Sequence, residues 1–327
     1  MNIYRRLIIA AAVAGACSTA GLAHANANDW PTKPVKIIVP FAPGGSSDTL
    51  GRLIAKHLSE TFKQSFVVEN RGGAGGVVGS QQVARAEPDG YTLLVTGVAS
   101  HVIAPLLSDV KFDPIKDFSH IAILGGPPIA AAVNTSLPVT NLKEFNDYAS
   151  KQSGGLSFAS PGAGTHGALI GDGYRDVTGL NLVHIPYKGA SPAVADVAGN
   201  QVPAAFTTLT TAYGHVRSGK LRLLAISAAE RLKSVPDVPT FKELGFPQLT
   251  GTTWFALGGP ANMDPAIVEK INVAVRQAMK SPEGQRELET QMMETFDFDV
   301  PTFNSFIVKE TELLRPLVER ARAAESR

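Results

Sequence analysis

The chain has 327 residues, 44% of them hydrophobic and 18% charged, with 30 basic against 29 acidic side chains. This is a globular composition, long enough for two domains; it supplies neither the basic surface of a nucleic-acid binder nor the low hydrophobicity of a disordered chain. The single cysteine, Cys17, excludes an intrachain disulfide framework and a cysteine-rich metal site.

Residues 1–25 read as an export signal. Arg5 and Arg6 form a positive start, Leu7 to Val13 is wholly apolar, and Ala23-His24-Ala25 fits a small-x-small cleavage site before Asn26. The apolar stretch is too short and too rich in Ala and Gly for a membrane span. Cleavage after Ala25 gives a soluble periplasmic chain without cysteine, and losing Arg5 and Arg6 takes the net charge from +1 to −1. Such a chain works without cytosolic ATP or NAD(P)H. Cys17 has a second reading as a lipid-attachment site. Small residues precede it, but the usual large aliphatic residue three positions upstream is missing.

Val35 to Pro40 is an apolar run broken only by Lys36, suited to a strand buried on both faces. The loop Phe41 to Asp48 follows, and Ser46 or Ser47 can cap a helix with Leu50, Leu53, Ile54 and Leu58 at helical spacing. Phe66 to Glu69 is the next strand. The glycine-rich segment Arg71 to Gly76 leads into a helix near Val77–Ala86. After the turn Pro88-Asp89-Gly90, Tyr91 to Thr96 is a third strand. Short crossovers in β-α-β-α-β order predict a parallel sheet.

The pattern then repeats. Leu142 to Ala149 reads as a helix, Leu156 to Ala159 as a strand, and a helix follows the loop Pro161 to His166. Leu182 to Tyr187 is a strand, Lys188-Gly189-Ala190-Ser191 leads to a helix ending near Ala198, and Pro203 to Thr207 and Leu221 to Ser227 are strands. Thr253 to Leu257 begins the last section. Asp264 caps a helix with Pro265 at its first position and Ile267, Val268, Ile271 and Val275 as its stripe. The final helix places Phe303, Phe306, Ile307, Leu313, Leu314, Leu317 and Val318 on one face. These helices lack strands for a third domain, so they return to the first unit. The expectation is an α/β chain of two lobes with a ligand cleft between them: lobe 1 is 26–126 plus 250–327, and lobe 2 is 127–249.

In open parallel sheets, ligands sit beyond the carboxyl ends of the strands. The residues there are Phe41, Pro43, Gly44, Gly45, Ser46 and Asp48; Ser100 and His101; Ser160, Gly162, Thr165 and His166; and Tyr187, Lys188 and Gly189. Amides and hydroxyls at helix starts suit a carboxylate or another oxyanion. His101 and His166 read as hydrogen-bonded loop histidines or as ligand contacts, and no H-x-x-x-H spacing supports a metal. Asp48 caps a helix, orients its loop or touches ligand. Asp172 is a helix-surface residue or a cleft acid. Lys188 balances an anion or is solvated, and Phe41 and Trp254 read first as packing residues.

The glycines from 72 to 79 match neither G-x-G-x-x-G nor a phosphate loop, so close backbone packing or a turn is expected there. No G-x-S-x-G elbow is present. An extracytoplasmic hydrolase would need Ser46, Ser100 or Ser160 paired with a base and an orienting acid. A ligand receptor for membrane signalling is a further alternative.

Several stretches together resemble the Bug family of periplasmic solute receptors, the binding component of tripartite tricarboxylate transporters. They are Trp30-Pro31 through Val39-Pro40-Phe41-Ala42-Pro43-Gly44-Gly45 with Asp48, Glu69 to Gly76, and Pro88-Asp89-Gly90-Tyr91-Thr92-Leu93. His184 to Gly189, Ser218-Gly219-Lys220-Leu221-Arg222 and Pro236-Asp237-Val238-Pro239-Thr240 follow in order. The resemblance implies a type II periplasmic-binding fold closing on a small organic acid, its carboxylate held by loop amides, hydroxyls and waters. It implies a monomer that needs no cofactor or catalytic residue and hands its ligand to inner-membrane transporter subunits. The chain departs from the family pattern at Gly164-Thr165-His166-Gly167-Ala168 and at Pro203. That places ligand discrimination in lobe 2.

Overall fold

The computed structural model describes residues 29–293 and 296–325, so the export signal expected at 1–25, Cys17 included, lies outside the described residues. Among the described residues, ten strands occur in chain order: β1 Val35–Val39, β2 Phe66–Asn70, β3 Thr92–Gly97, β4 Phe118–Gly125, β5 Ile129–Asn134, β6 Leu156–Ser160, β7 Leu182–Pro186, β8 Ala204–Thr208, β9 Leu221–Ile226 and β10 Phe255–Pro260. They form two five-stranded sheets, β2-β1-β3-β10-β4 and β7-β6-β8-β5-β9. Each sheet is the frame of one lobe of a two-lobed α/β fold.

The sheets are mixed, which corrects the parallel expectation. In the first, β1 pairs parallel with β2 and β3, but β10 is antiparallel to both β3 and β4. In the second, β6 is parallel to β7 and β8, and β5 is antiparallel to β8 and β9. The reversed strand in each sheet is the one the chain lays down as it arrives from the other lobe. Sequence reasoning passed over β4 and β5. Their residues are buried almost throughout, so they show no alternation, and only Gly126 to Pro128 separates them.

The chain changes sheet between Gly125 and Ile129 and again between Ile226 and Phe255. The two crossovers run side by side: Pro128 bridges Thr252, and Thr253 N–H donates to Pro127 O at 3.1 Å. A Cβ at Gly126 would overlap the Thr253 carbonyl oxygen, so the strands of this hinge approach closely because the residue is glycine.

Helix starts follow capping chemistry. Asn141 accepts from Glu144 N–H, and Asp264 from Ala266 N–H ahead of Pro265. The helix Pro265–Lys280 buries Ile267, Ile271 and Val275, and Asn272 ties it to β4 by donating to Ile121 O at 2.7 Å. The helix Val300–Glu325 buries Phe303, Ile307 and Val318 around Trp254. Leu169 of the second sheet's helix His166–Thr178 joins the same cluster, so the last helix touches both halves. Leu313, expected in the apolar stripe, is 71% exposed, because it lies at the margin of the arc the other residues define.

Candidate functional site

The edges of the two sheets enclose a cavity of about 430 Å³, counting all unfilled space up to its mouth. Its wall comes from Phe41, Gly45, Ser46, Ser47, Ala99 and Phe255 on the first half and Ile129, Pro161, Thr165, His166, Gly167, Ala190 and Thr208 on the second, with Thr253 from the crossover.

Four helices begin at this wall: Ser46–Phe62, His166–Thr178, Ala190–Ala198 and Leu209–Arg217. The N-caps Gly45, Gly189 and Thr208 give no side-chain cap. Among the described residues, the amides of Ser46, Ser47, His166, Gly167 and Ala190 donate to no protein acceptor. Unused first-turn amides at the positive ends of helices line one common space. No Asp, Glu, Lys or Arg lines it. His166 is the one titratable lining group. Burial pushes it down to about 4, so it is neutral, and its Nδ1 lies 3.0 Å from Thr253 Oγ1.

The halves meet in this structure. Ser46 Oγ donates to Thr208 Oγ1 at 2.7 Å and lies 3.3 Å from Thr211 Oγ1, and Ala42 N–H donates to Lys188 O at 3.3 Å. The glycine-rich segment takes part: a Cβ at Gly75 would stand 2.8 Å from Ala163 O across the seam. Close packing, and not dinucleotide binding, is what those glycines serve.

Behind each lining loop lies a buried polar network. In the first half, Asp48 accepts from Gly44 N–H at 2.9 Å, Arg52 Nε at 2.9 Å and Asn70 Nδ2 at 2.9 Å. Burial alone would raise its pKa, but these hydrogen bonds outweigh it and hold the carboxyl below its ordinary value. In the second half, Ser160 Oγ lies 2.6 Å from His184 Nε2, and His184 Nδ1 lies 3.6 Å from Asp172 Oδ2. Burial, and then the charge of Arg175, pushes His184 down to about 4.

Of the residues the sequence suggested, Phe41, Gly45, Ser46, Thr165 and His166 line the cavity. Pro43 and Gly44 are exposed at the loop tip, and Asp48, Ser160 and Gly162 brace the loops from behind. Ser100 and His101 lie not in a loop but in a buried π-helical turn, Ala99–Ile103, where the His101 ring packs against Phe118 at 4.5 Å. Tyr187 donates to Asp196 at 2.6 Å, Lys188 is exposed, and Gly189 packs on Ala42 at the seam. Sequence reasoning missed Ile129, Thr208, Thr253 and Phe255. Thr208 ends β8, where the carboxyl-end rule points. Ile129 and Phe255 begin the two reversed strands, whose amino ends lie at the edge where the parallel strands finish. Among the described residues, no group of three His, Cys, Asp or Glu is placed to hold a metal, and no helix is long and apolar enough to cross a membrane.

Two like lobes closing on a cavity at their strand ends define a solute receptor of the periplasmic-binding type. A family profile described as tripartite tricarboxylate transporter family receptor matches residues 50–322, and the chain belongs to that family. It is 34% identical over 267 residues to protein BugT of Bordetella pertussis, covering 81% of this chain and 82% of that one. Two solved structures are also similar. Rpa4515 of R. palustris with adipate has a TM-score of 0.86 at 30% identity, covering 89% of this chain and 98% of that one. MatC (Rpa3494) from Rhodopseudomonas palustris with bound malate has a TM-score of 0.84 at 29% identity, covering 88% and 100%.

Proposed function

We propose that this chain is a periplasmic, non-enzymatic receptor that binds a small organic acid by its carboxylate and delivers it to the membrane subunits of a tripartite transporter. Lobe boundaries at 126/127 and 249/250 put one part of the anion site on each side of the hinge. The observation that carries the reading is the set of unused helix-start amides around a cavity without a charged side chain. An anion there gains hydrogen bonds and helix-end charge, and no buried cation is left unpaired when the site is empty. The adipate and malate of the two similar structures agree with that chemistry. Because both lobes supply amides, ligand favours the closed arrangement.

The Ser160–His184–Asp172 contact favours a hydrolase at first sight. Ser160 is wholly buried, its hydroxyl accepts Gly162 N–H at 3.1 Å, and Asp172 is paired with Arg175 at 2.8 Å. A substrate carbonyl has no approach to that oxygen, which supports the receptor reading.

Calorimetry at pH 7 with malate, adipate and their diamides tests the proposal. An acid is expected to bind at least about a hundredfold more tightly than its diamide, since charge-assisted hydrogen bonds are worth roughly 1.5–3 kcal/mol each. Equal or tighter binding of the diamides would remove the carboxylate from the account.

A further inference from the structure

We propose that Asp172, His184 and Ser160 form a positioning relay that sets the second-lobe loop, and through it the free amides of His166 and Gly167, in the ligand cavity. The inference rests on the reading of that cavity as an anion site.

Ser160 ends β6 and is wholly buried, so its hydroxyl must find partners within the protein. It accepts Gly162 N–H at 3.1 Å, and its Oγ lies 2.6 Å from His184 Nε2, so we assign its own proton to that nitrogen. The Gly162 carbonyl accepts twice, from Thr165 N–H at 3.2 Å and from the Thr165 hydroxyl at 2.7 Å. Thr165 is the N-cap of the helix His166–Thr178 and accepts from Ala168 N–H. A continuous chain of hydrogen bonds therefore runs from His184 on β7 to the helix start in the cavity wall.

The ring of His184 is itself held. It stacks on Phe158 at 4.8 Å with an interplanar angle of 3°. With Nε2 accepting from Ser160, Nδ1 carries the proton and faces Asp172 Oδ2 at 3.6 Å, and the other Asp172 oxygen is fixed by Arg175 at 2.8 Å. These are the residue types of a serine-nucleophile triad. Here the serine is covered and the acid is neutralised, so the same geometry holds a loop in place.

The test compares His184→Phe, which keeps the stack on Phe158 but offers Ser160 no acceptor, with His184→Gln, whose amide oxygen can take the place of Nε2. Amide hydrogen exchange of the ligand-free proteins reads the loop directly. Exchange at Thr165, whose N–H is bonded to Gly162 O, is expected to be roughly tenfold faster in His184→Phe and near wild type in His184→Gln, with the rest of the lobe unchanged. Calorimetric affinity for malate or adipate, whichever the wild type binds, should follow the same order. Wild-type exchange at Thr165 in His184→Phe, or no recovery in His184→Gln, would overturn the relay. If the Phe variant does not fold, Ser160→Ala carries the same test, and unchanged exchange at Thr165 overturns the proposal there too. If the wild type binds neither acid, the anion reading of the cavity fails, and the exchange result still judges the relay.

Discussion

The loops at residues 41–48 and 160–167 share a plan and differ in how they are held. Each leaves a strand at its carboxyl end, turns through a left-handed glycine (Gly44, φ 79°; Gly164, φ 75°) and enters a helix at the cavity wall. The first is tied down by a carboxylate on its own helix, Asp48, which reaches Gly44, Arg52 and Asn70. The second is tied down by a serine hydroxyl and a histidine from the neighbouring strand, and it carries another buried histidine, His166, into the wall itself. A charged anchor and a neutral one give the two halves of one site different responses to acid.

The largest expected effect breaks that comparison with pH. His166 and His184 are both pushed from 6.5 to about 4, so they are neutral when folded and protonate first in the unfolded chain. The folded state binds fewer protons, and stability is therefore full above about pH 6.5 and lost as the pH falls toward 4. At pH 4.5 each contributes a loss of about 2–3 kcal/mol, a large share of a typical 5–15 kcal/mol. Asp48, held below 3.8, keeps its contribution throughout that window and loses it only at lower pH. Denaturant unfolding at pH 7 and pH 4.5 should show a smaller acid loss in His184→Gln and an undiminished one in Asp48→Asn. An identical loss in both variants and the wild type would mean that the second loop's anchor is no more acid-sensitive than the first's.

A smaller effect separates the loops by packing. A Cβ at Gly167 would stand 2.5 Å from Phe206 O, whereas one at Gly45 would lie 3.8 Å from both Ala190 Cβ and Ala42 O, at an ordinary φ of −85°. Gly167→Ala should cost about 1–3 kcal/mol through overpacking against a strand. Gly45→Ala should stay within about 0.5 kcal/mol of wild type in a thermal melt. Gly45→Leu, reaching toward Ala190 across the seam, should fold normally and bind ligand weakly. Similar melting temperatures for the Gly45 and Gly167 alanine variants would show that the second loop can shift to make room.

Much of the first loop was legible in sequence because one strand, one turn and one helix are local features. Phe41, Gly45 and Ser46 follow from an apolar run, a glycine pair and a helix start read in order, although the expected serine cap is not made: Gly45 is the N-cap and Ser46 the first helical residue. The rest of the wall was half legible. Thr165 and His166 stand at a helix start, but Ile129 and Phe255 reach the cavity only because β5 and β10 run backwards, and pairing direction leaves no mark on a wholly buried strand. Ser100 and His101 show the converse. Their small polar neighbourhood reads as a loop, yet tertiary packing folds it into a helical turn with His101 against Phe112, Phe118 and His120. The pairing of Ser160 with His184 spans two strands 24 residues apart, a contact that spacing alone does not disclose.

The smallest expected effect lies where the two lobes meet. Ser46 belongs to the first and donates across the seam to Thr208, with Thr211 beside both. A bond that joins the lobes is broken when they part, so its loss should weaken the closed state without weakening either lobe. Ser46→Ala removes a hydrogen bond worth about 0.5–1.5 kcal/mol, which corresponds to roughly a two- to tenfold loss of affinity. The change should appear as faster ligand release with little change in association rate, and the ligand-free melting temperature should hardly move. Stopped-flow measurement of both rates separates this from a contact made with ligand before closure, which would slow association instead. If the melting temperature falls as far as in Gly167→Ala, the Ser46–Thr208 bond is part of the fold's standing stability and not a latch between its halves.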